Sequence, residues 1–158
     1  MDHPIAPVFN EDSDILILGS FPSVKSREAG FFYGHPQNRF WRVLSALYGE
    51  SVPASTEEKK ALLLRNHVAL WDVIQSCDIE GSDDTSIRNV VPNDLSAILS
   101  AARIERVFTN GGTADRLYRR FCREQTGLSA VRLPSTSPAN ARMGLDALAE
   151  AWRIILNV

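Results

Sequence analysis

Apolar positions along this chain follow two rhythms: short unbroken runs, and longer stretches where they return every three or four residues. Residues 14–19, DILILG, form an apolar run closed by glycine, as expected of a strand buried on both faces of a parallel sheet. Runs of the same kind recur at 67–74 (HVALWDVI), 104–110 (IERVFTN) and 130–134 (AVRLP), which predicts four strands. Between them the period lengthens. Phe40, Val43, Leu44 and Leu47 share one helical face, predicting a helix over 38–48 that Gly49 closes. Ser55 with Glu58 three residues on is a capping-box start for a second helix. A third is expected over 93–102 behind Pro92, and a fourth after the Gly111-Gly112 turn, with Thr113 as its cap and Arg123 near its end. A last helix is expected over 145–156. Residues 20–37 and the stretch EGSDDTS have no regular pattern and read as loops.

Strands that alternate with helices imply an α/β fold: a three-layer α/β/α arrangement around a central four-stranded parallel sheet. The 158 residues suit one domain, with 1–12 expected to be a flexible tail. In such sheets ligands bind beyond the carboxyl ends of the strands. The segments GSFPSVKS, WDVI, TNGG and PSTSPANAR all follow strands, so they share one rim, and the site is expected there.

Composition narrows the class without naming the chemistry. A hydrophobic share of 44% and a charged share of 23% are ordinary for a globular protein. No apolar run approaches the roughly 18 residues of a membrane span, and the first residues lack a signal-peptide pattern. Cys77 and Cys122 stand far apart without CxxC spacing and are expected to be buried, reduced thiols, which points to the cytoplasm. His3 and His67 have no partner at ligand spacing, so neither a metal site nor a cofactor is expected. A net charge of −2 argues mildly against a nucleic-acid partner, but the charge is segregated. Lys25, Arg27, Arg39 and Arg42 against Glu28 leave residues 20–42 at +3, and Arg119, Arg120, Arg123, Arg132 and Arg142 against Glu124 leave 119–142 at +4. Six carboxylates against Arg88 leave 72–94 at −5, a face expected to turn away from a polyanion.

The densest stretch is GFFYGHPQNRFW, with three consecutive rings, a His-Pro and a lone amide ahead of a helix. Together with Gly19-Ser20-Phe21-Pro22-Ser23, the run His35-Pro36-Gln37-Asn38-Arg39-Phe40-Trp41 resembles the uracil-DNA glycosylase superfamily. LPSTSPAN, residues 133–140, matches the place of its second motif, the loop that enters DNA. With LWDVI and TNGG, the pattern is most similar to the hypoxanthine (deoxyinosine) DNA glycosylase branch, over roughly residues 14–156.

This resemblance implies double-stranded DNA with a deaminated base as partner, hypoxanthine preferred and uracil possible. It also implies hydrolysis of the N-glycosidic bond without strand cleavage, by a monomer that needs no cofactor, metal or membrane. The flipped base needs a stacking surface and a polar edge to pair with. Tyr33 is the expected stacking ring, and Ser20, Phe21, His35 and Asn110 join it in substrate binding. Asn38 is the expected catalytic amide, either activating water or pairing with the base, with Ser23 assisting through the loop donors. Its plainer role is to cap the helix that follows. Ser135, Thr136, Ser137, Asn140 and Arg142 are expected to touch DNA. Phe21 stands where the superfamily usually places an Asn or Asp that positions water. Asp72 and Asp84 are the other candidate bases, in the acidic segment away from these motifs. Two other functions fit less of this pattern: a damage-binding module without catalysis, and a hydrolase of free nucleosides, for which a DNA-entering loop has no use.

Overall fold

The computed structural model describes residues 1–156. β1 (Ile15–Gly19) leads into a short helix α1 (Val24–Ala29), and α2 (Phe40–Tyr48) and α3 (Thr56–Arg65) precede β2 (Val68–Asp72). A hairpin of β3 (Ile74–Asp78) and β4 (Arg88–Pro92) follows, with a 3-10 turn at Asp84–Ser86 between its strands. The chain continues through α4 (Ser96–Ala101), β5 (Arg106–Asn110), α5 (Gly112–Phe121), α6 (Arg123–Thr126), β6 (Ala130–Leu133) and α7 (Leu145–Trp152), which ends in a 3-10 turn at Arg153–Leu156.

The four expected strands pair in parallel in the order β2-β1-β5-β6, so β1 is central and buried along its whole length. Its alternation divides the core in two. Ile15 and Ile17 face the layer of α2, α3 and α7, packing among Phe40, Leu44, Leu63 and Trp152. Leu16 and Leu18 face the layer of α4 and α5, with Ile98, Leu117 and Tyr118. The expected three-layer α/β/α fold is therefore present.

Several local expectations are corrected. The run 67–74 is not one strand, because the chain bends at Val73, whose N–H donates to Gly19 O (2.8 Å) and whose carbonyl accepts from Asn93 N–H (2.7 Å). From Ile74 it belongs to an antiparallel hairpin whose second strand is largely exposed and carries no apolar alternation. Residues 93–95 do not join the expected helix; Asn93 is buried, and its amide donates to the carbonyls of Asp72 (2.8 Å) and Ile74 (3.1 Å). Thr113 does not cap α5, since Gly111, at φ 95, holds the cap position without any side-chain bond. Residues 1–12 are not a loose tail. Ile5 and Val8 are buried, Val8 exchanges two backbone bonds of 2.9 Å with Leu70, and Trp71 Nε1 donates to Ile5 O (3.1 Å). Ser55 does cap α3, accepting from Glu58 N–H (3.1 Å), while Glu58 reaches back to Ala54 N–H. No helix among the described residues is long and apolar enough to cross a membrane.

Trp152 joins the helical layer to the site rim. It is fully buried, lies edge-on to Phe40, and its Nε1 donates to Pro134 O at 2.9 Å. Trp152→Ala removes a large ring and that bond together, and is expected to cost about 3–5 kcal/mol in a urea denaturation series.

Candidate active site

The ends of β1 and β2 face each other in register, pairing Gly19 with Asp72. Beyond them opens a cavity of about 550 Å³, a size suited to a small organic ligand. Its floor is crowded. A Cβ on Gly19 would collide with Asp72 Oδ1 and stand 2.9 Å from Tyr33 Oη, so glycine is what lets these two groups approach the strand end. Asp72 is only 3% exposed, and its Oδ2 meets His3 Nε2 at 2.8 Å. His3 Nδ1 accepts the Ile5 N–H (3.2 Å), which leaves the ring proton on Nε2 and makes the imidazole the donor to Asp72.

One wall is built by the ring-rich loop. Phe31 and Phe32 are buried in the core, whereas Tyr33 lines the cavity and stacks on Phe40, with centroids 4.1 Å apart and planes at 23°. Tyr33 takes φ 53, an uncommon backbone for an aromatic residue, as the chain turns into Gly34, whose N–H is held by Ser26 Oγ at 2.9 Å. Its hydroxyl is buried with no hydrogen-bond partner. Asn110 lies nearby: its Nδ2 donates one hydrogen to Thr136 Oγ1, its Oδ1 accepts the Thr136 N–H, and its amide opposes the upward shift of the Tyr33 phenol. Burial first, and the Asp72 charge second, push the phenol well above its ordinary range, so Tyr33 keeps its proton.

Asn38 sits one residue ahead of the α2 N-cap, which is Arg39 rather than the expected Asn38, and its Oδ1 accepts the Phe40 N–H at 2.9 Å. The same oxygen accepts Thr136 Oγ1–H at 2.9 Å, and Thr136 Oγ1 in turn accepts from Asn110 Nδ2 at 3.0 Å. A backbone N–H can only donate, so it fixes which way the Asn38 amide faces. With Oδ1 doubly engaged, Nδ2 is the group left over for the cavity that Asn38 lines. His35 also lines the cavity, with Nδ1 accepting the Gln37 N–H (3.0 Å) in the tight turn before α2.

The opposite wall is the loop after β6. Ser135 Oγ accepts Ser137 N–H and Ser137 Oγ accepts Ala139 N–H, both at 3.1 Å, winding the segment into successive turns. Arg39 ties it to α2. Its guanidinium donates to the carbonyls of Ser137 and Asn140 (3.0 Å each) and Met143, and its N–H to Thr136 O (3.1 Å). Nothing in the local sequence marks an arginine as a staple for carbonyls about a hundred residues away.

The structure gathers Ser20, Phe21, Ser23, Tyr33, His35, Asn38, Asn110, Ser135, Thr136 and Ser137 around the cavity. It redirects several of them. Ser23 is the N-cap of α1, accepting Ser26 N–H at 3.2 Å. Phe21 is mostly core, edge-on to His3 at 5.7 Å. Thr136 is fully buried, so it braces the site rather than meeting DNA. Asn140 likewise turns inward, its amide donating to Ser135 O (3.0 Å), and the exposed tip is Pro138-Ala139. Arg142 is exposed and lies outside the cavity lining.

The acidic segment also departs from expectation. Rather than facing away, it brings Asp72 to the floor and Asp83 and Asp84 to the lip of this cavity. The lip is tied to the first motif by Val24 N–H to Ser82 Oγ (2.9 Å), and by Arg27 donating to Pro22 O and Gly81 O. Asp84 is exposed over much of its surface, yet desolvation at the wall pushes its carboxyl above the ordinary range, against the pull of the Thr113 and Ser20 hydroxyls.

The uracil DNA glycosylase superfamily model matches residues 6–156. This chain belongs to that superfamily. The hypoxanthine DNA glycosylase of Methanosarcina acetivorans is 34% identical over 149 residues, 94% of this chain and 93% of that protein. The protein of the same name from Methanosarcina barkeri is 34% identical over 137 residues, 86% of each chain. A solution NMR structure of a candidate uracil DNA glycosylase from Methanosarcina acetivorans superposes with a TM-score of 0.80 at 31% identity, covering 98% of both chains. The chain is thus a DNA glycosylase, and DNA is its substrate.

Lysine cannot reproduce the planar fork by which Arg39 reaches several carbonyls. Arg39→Lys is expected to cost about 1–3 kcal/mol, the range for leaving buried acceptors short of a donor. Hydrogen exchange should quicken in residues 137–143 while β1 stays protected; unchanged exchange there would count against the staple.

Proposed function

We propose that this DNA glycosylase removes hypoxanthine from double-stranded DNA, with uracil as a second substrate, by hydrolysis and without cutting the strand. The relatives named hypoxanthine DNA glycosylase support the choice of base. The observation that carries it is the Asn38 amide, whose oxygen is saturated and whose Nδ2 donors remain for a ligand.

Deamination replaces an amino group by a carbonyl, turning adenine into hypoxanthine and cytosine into uracil. A fixed N–H donor at that position pairs with the carbonyl oxygen and meets the undamaged base donor to donor. A site that leaves such groups unpaired rejects the wrong base strongly. Stacking on the cavity face of Tyr33, backed by Phe40, offsets the cost of extruding the nucleotide, at roughly 1–3 kcal/mol per base. As the glycosidic bond opens, negative charge moves onto the leaving base, and the same Nδ2 donor stabilises it. His35 and Asn110 border this base subsite, with the loop at Ser20–Ser23 closing it.

The Ser135, Ser137 and Asn140 segment, with Pro138-Ala139 at its tip and Arg142 beyond, is the part of the rim we assign to the DNA strand, its phosphates held by hydroxyls and Arg142. The described cavity lining contains no lysine, which favours attack by water over an imine and hence no strand cleavage. Action as a monomer in the cytoplasm belongs to this reading; Cys77 and Cys122, both buried and free, suit a reducing compartment.

The test is single-turnover excision from duplexes bearing one inosine, uracil or xanthine, read as alkali-labile breaks. Asn38→Asp keeps both bonds to Oδ1 but replaces the donor with an acceptor. It is expected to slow inosine release by about 10²–10³-fold, the usual loss for one preorganised donor, with little change in thermal stability. An Asn38→Asp protein that cleaved inosine as fast as the parent would remove the amide from the mechanism. Lesion binding without abasic product would make the chain a damage reader.

A further inference from the structure

Removing a base by hydrolysis requires a group that takes a proton from water, and neither motif supplies one. Phe21 has no polar atom, Asn38 Oδ1 already accepts two hydrogen bonds, and Ser23 is engaged in capping α1. Asp72 does have the required group. Oδ2 accepts from His3 Nε2–H, whereas Oδ1 has no protein donor among the described residues and faces the floor of the cavity beside Gly19. Tyr33 Oη, a buried hydroxyl likewise without a partner, approaches the same point above Gly19. An acceptor without a donor on a residue only 3% exposed, and a buried hydroxyl without a partner, both directed at one spot, are what a bound water needs.

We propose that Asp72 is the general base of this enzyme, receiving the proton of a water held between its Oδ1 and Tyr33 Oη, and that His3 is its positioning residue. The inference rests on the hydrolytic reading above. In the step, the water oxygen bonds to C1′ of the sugar as the bond from C1′ to the base nitrogen breaks, and the bonding pair leaves with the base. The water proton passes to Asp72 Oδ1 and from there to solvent, while the departing base is protonated in turn. Positioned proton transfer of this kind is worth roughly 10²–10⁴-fold in rate.

His3 acts by geometry. Its ring is wedged between Phe21 (5.7 Å), Phe32 (6.1 Å) and Trp71 (6.1 Å), and Ile5 N–H holds its other nitrogen. The imidazole therefore presents Nε2–H in one direction only, which turns the second carboxylate oxygen toward the cavity. Besides His3 and Tyr33, the titratable groups facing Asp72 across the cavity are His35, Asp83 and Asp84. Asp83 and Asp84 stand at its lip, on the β3–β4 loop.

The experiment compares Asp72→Asn, Asp72→Ala, His3→Gln and His3→Phe on an inosine duplex, measuring lesion binding and single-turnover excision separately. Asp72→Asn is expected to lose about 10²–10⁴-fold in excision rate while its affinity stays within a fewfold of the parent. Added formate, a small carboxylate, should accelerate Asp72→Ala and leave the parent unchanged, an effect no folding defect produces. His3→Gln keeps an N–H donor and should retain most of the rate, whereas His3→Phe keeps the bulk and should fall toward Asp72→Asn. A parent that excises inosine alongside an equally fast Asp72→Asn overturns the base and leaves the function standing. Equal rates for His3→Gln and His3→Phe overturn the positioning role, and a parent with no excision at all takes down both this inference and the function it rests on.

Discussion

Thr136 has one hydroxyl, no exposure to solvent and three loops depending on it. Its Oγ1 accepts from Asn110 at the end of β5 and donates to Asn38 at the start of α2, while its own N–H returns to Asn110 Oδ1. The three segments come from opposite ends of the chain, and only the parallel order β2-β1-β5-β6 brings them to one rim. A buried network of this kind is worth having only when complete, because each unmet partner costs about 1–3 kcal/mol. Here Thr136 is fully met, and the chain of bonds ends at Asn38 Oδ1. The consequence is chemical as well as structural, since an amide whose acceptor is occupied can offer a ligand only its donors.

Several basic side chains counted in the segment totals are engaged by the protein itself. Of the basic residues in 20–42, Arg27 serves Pro22 and Gly81 carbonyls and Arg39 serves those of the 137–143 loop. In 119–142, Arg119 pairs with Asp115 at 3.0 Å, while Arg120 lies over the Phe121 ring. A count of arginines is therefore not a count of phosphate contacts. In the proposed reading the DNA strand is met by exposed cations near the tip, such as Arg142, and by hydroxyls and backbone, with Asp83 and Asp84 repelling phosphate from the cavity mouth. That arrangement suits a pocket that admits a neutral base and keeps the strand on the rim.

The elements legible in the sequence are those whose own residues carry the signal. DILILG reads as a buried strand because both faces are covered, and the 38–48 helix reads from a single apolar face that the core does bury. The cavity rim was equally legible, since the three motif loops follow β1, β5 and β6. What escaped was set by distant partners. α1 has six residues, too few to show a period, and β4 is mostly exposed, so no alternation announces it. The apolar residues of the 1–12 segment follow neither a strand nor a helix period, and its docking is fixed by backbone pairing with Leu70 and by Trp71, which no local pattern encodes. His3 and Asp72 are separated by 69 positions, and their juxtaposition follows from that same docking.

Phe21 shows how the two halves of the site belong together. The superfamily resemblance makes its position one for a polar, water-directing side chain, and a phenyl ring there looks like a loss. In the fold the ring is buried edge-on against His3, with Arg27 above it at 5.6 Å. An apolar wall on that side keeps water from competing for the His3 Nε2–H, so the hydrogen bond to Asp72 forms in a low-dielectric setting where it is strongest. An Asn or Asp at 21 would bring a second polar group against the imidazole and offer it another partner. On this reading the polar work has moved from the loop after β1 to the end of β2, one strand over in the sheet. A phenylalanine at 21 is what makes that move possible.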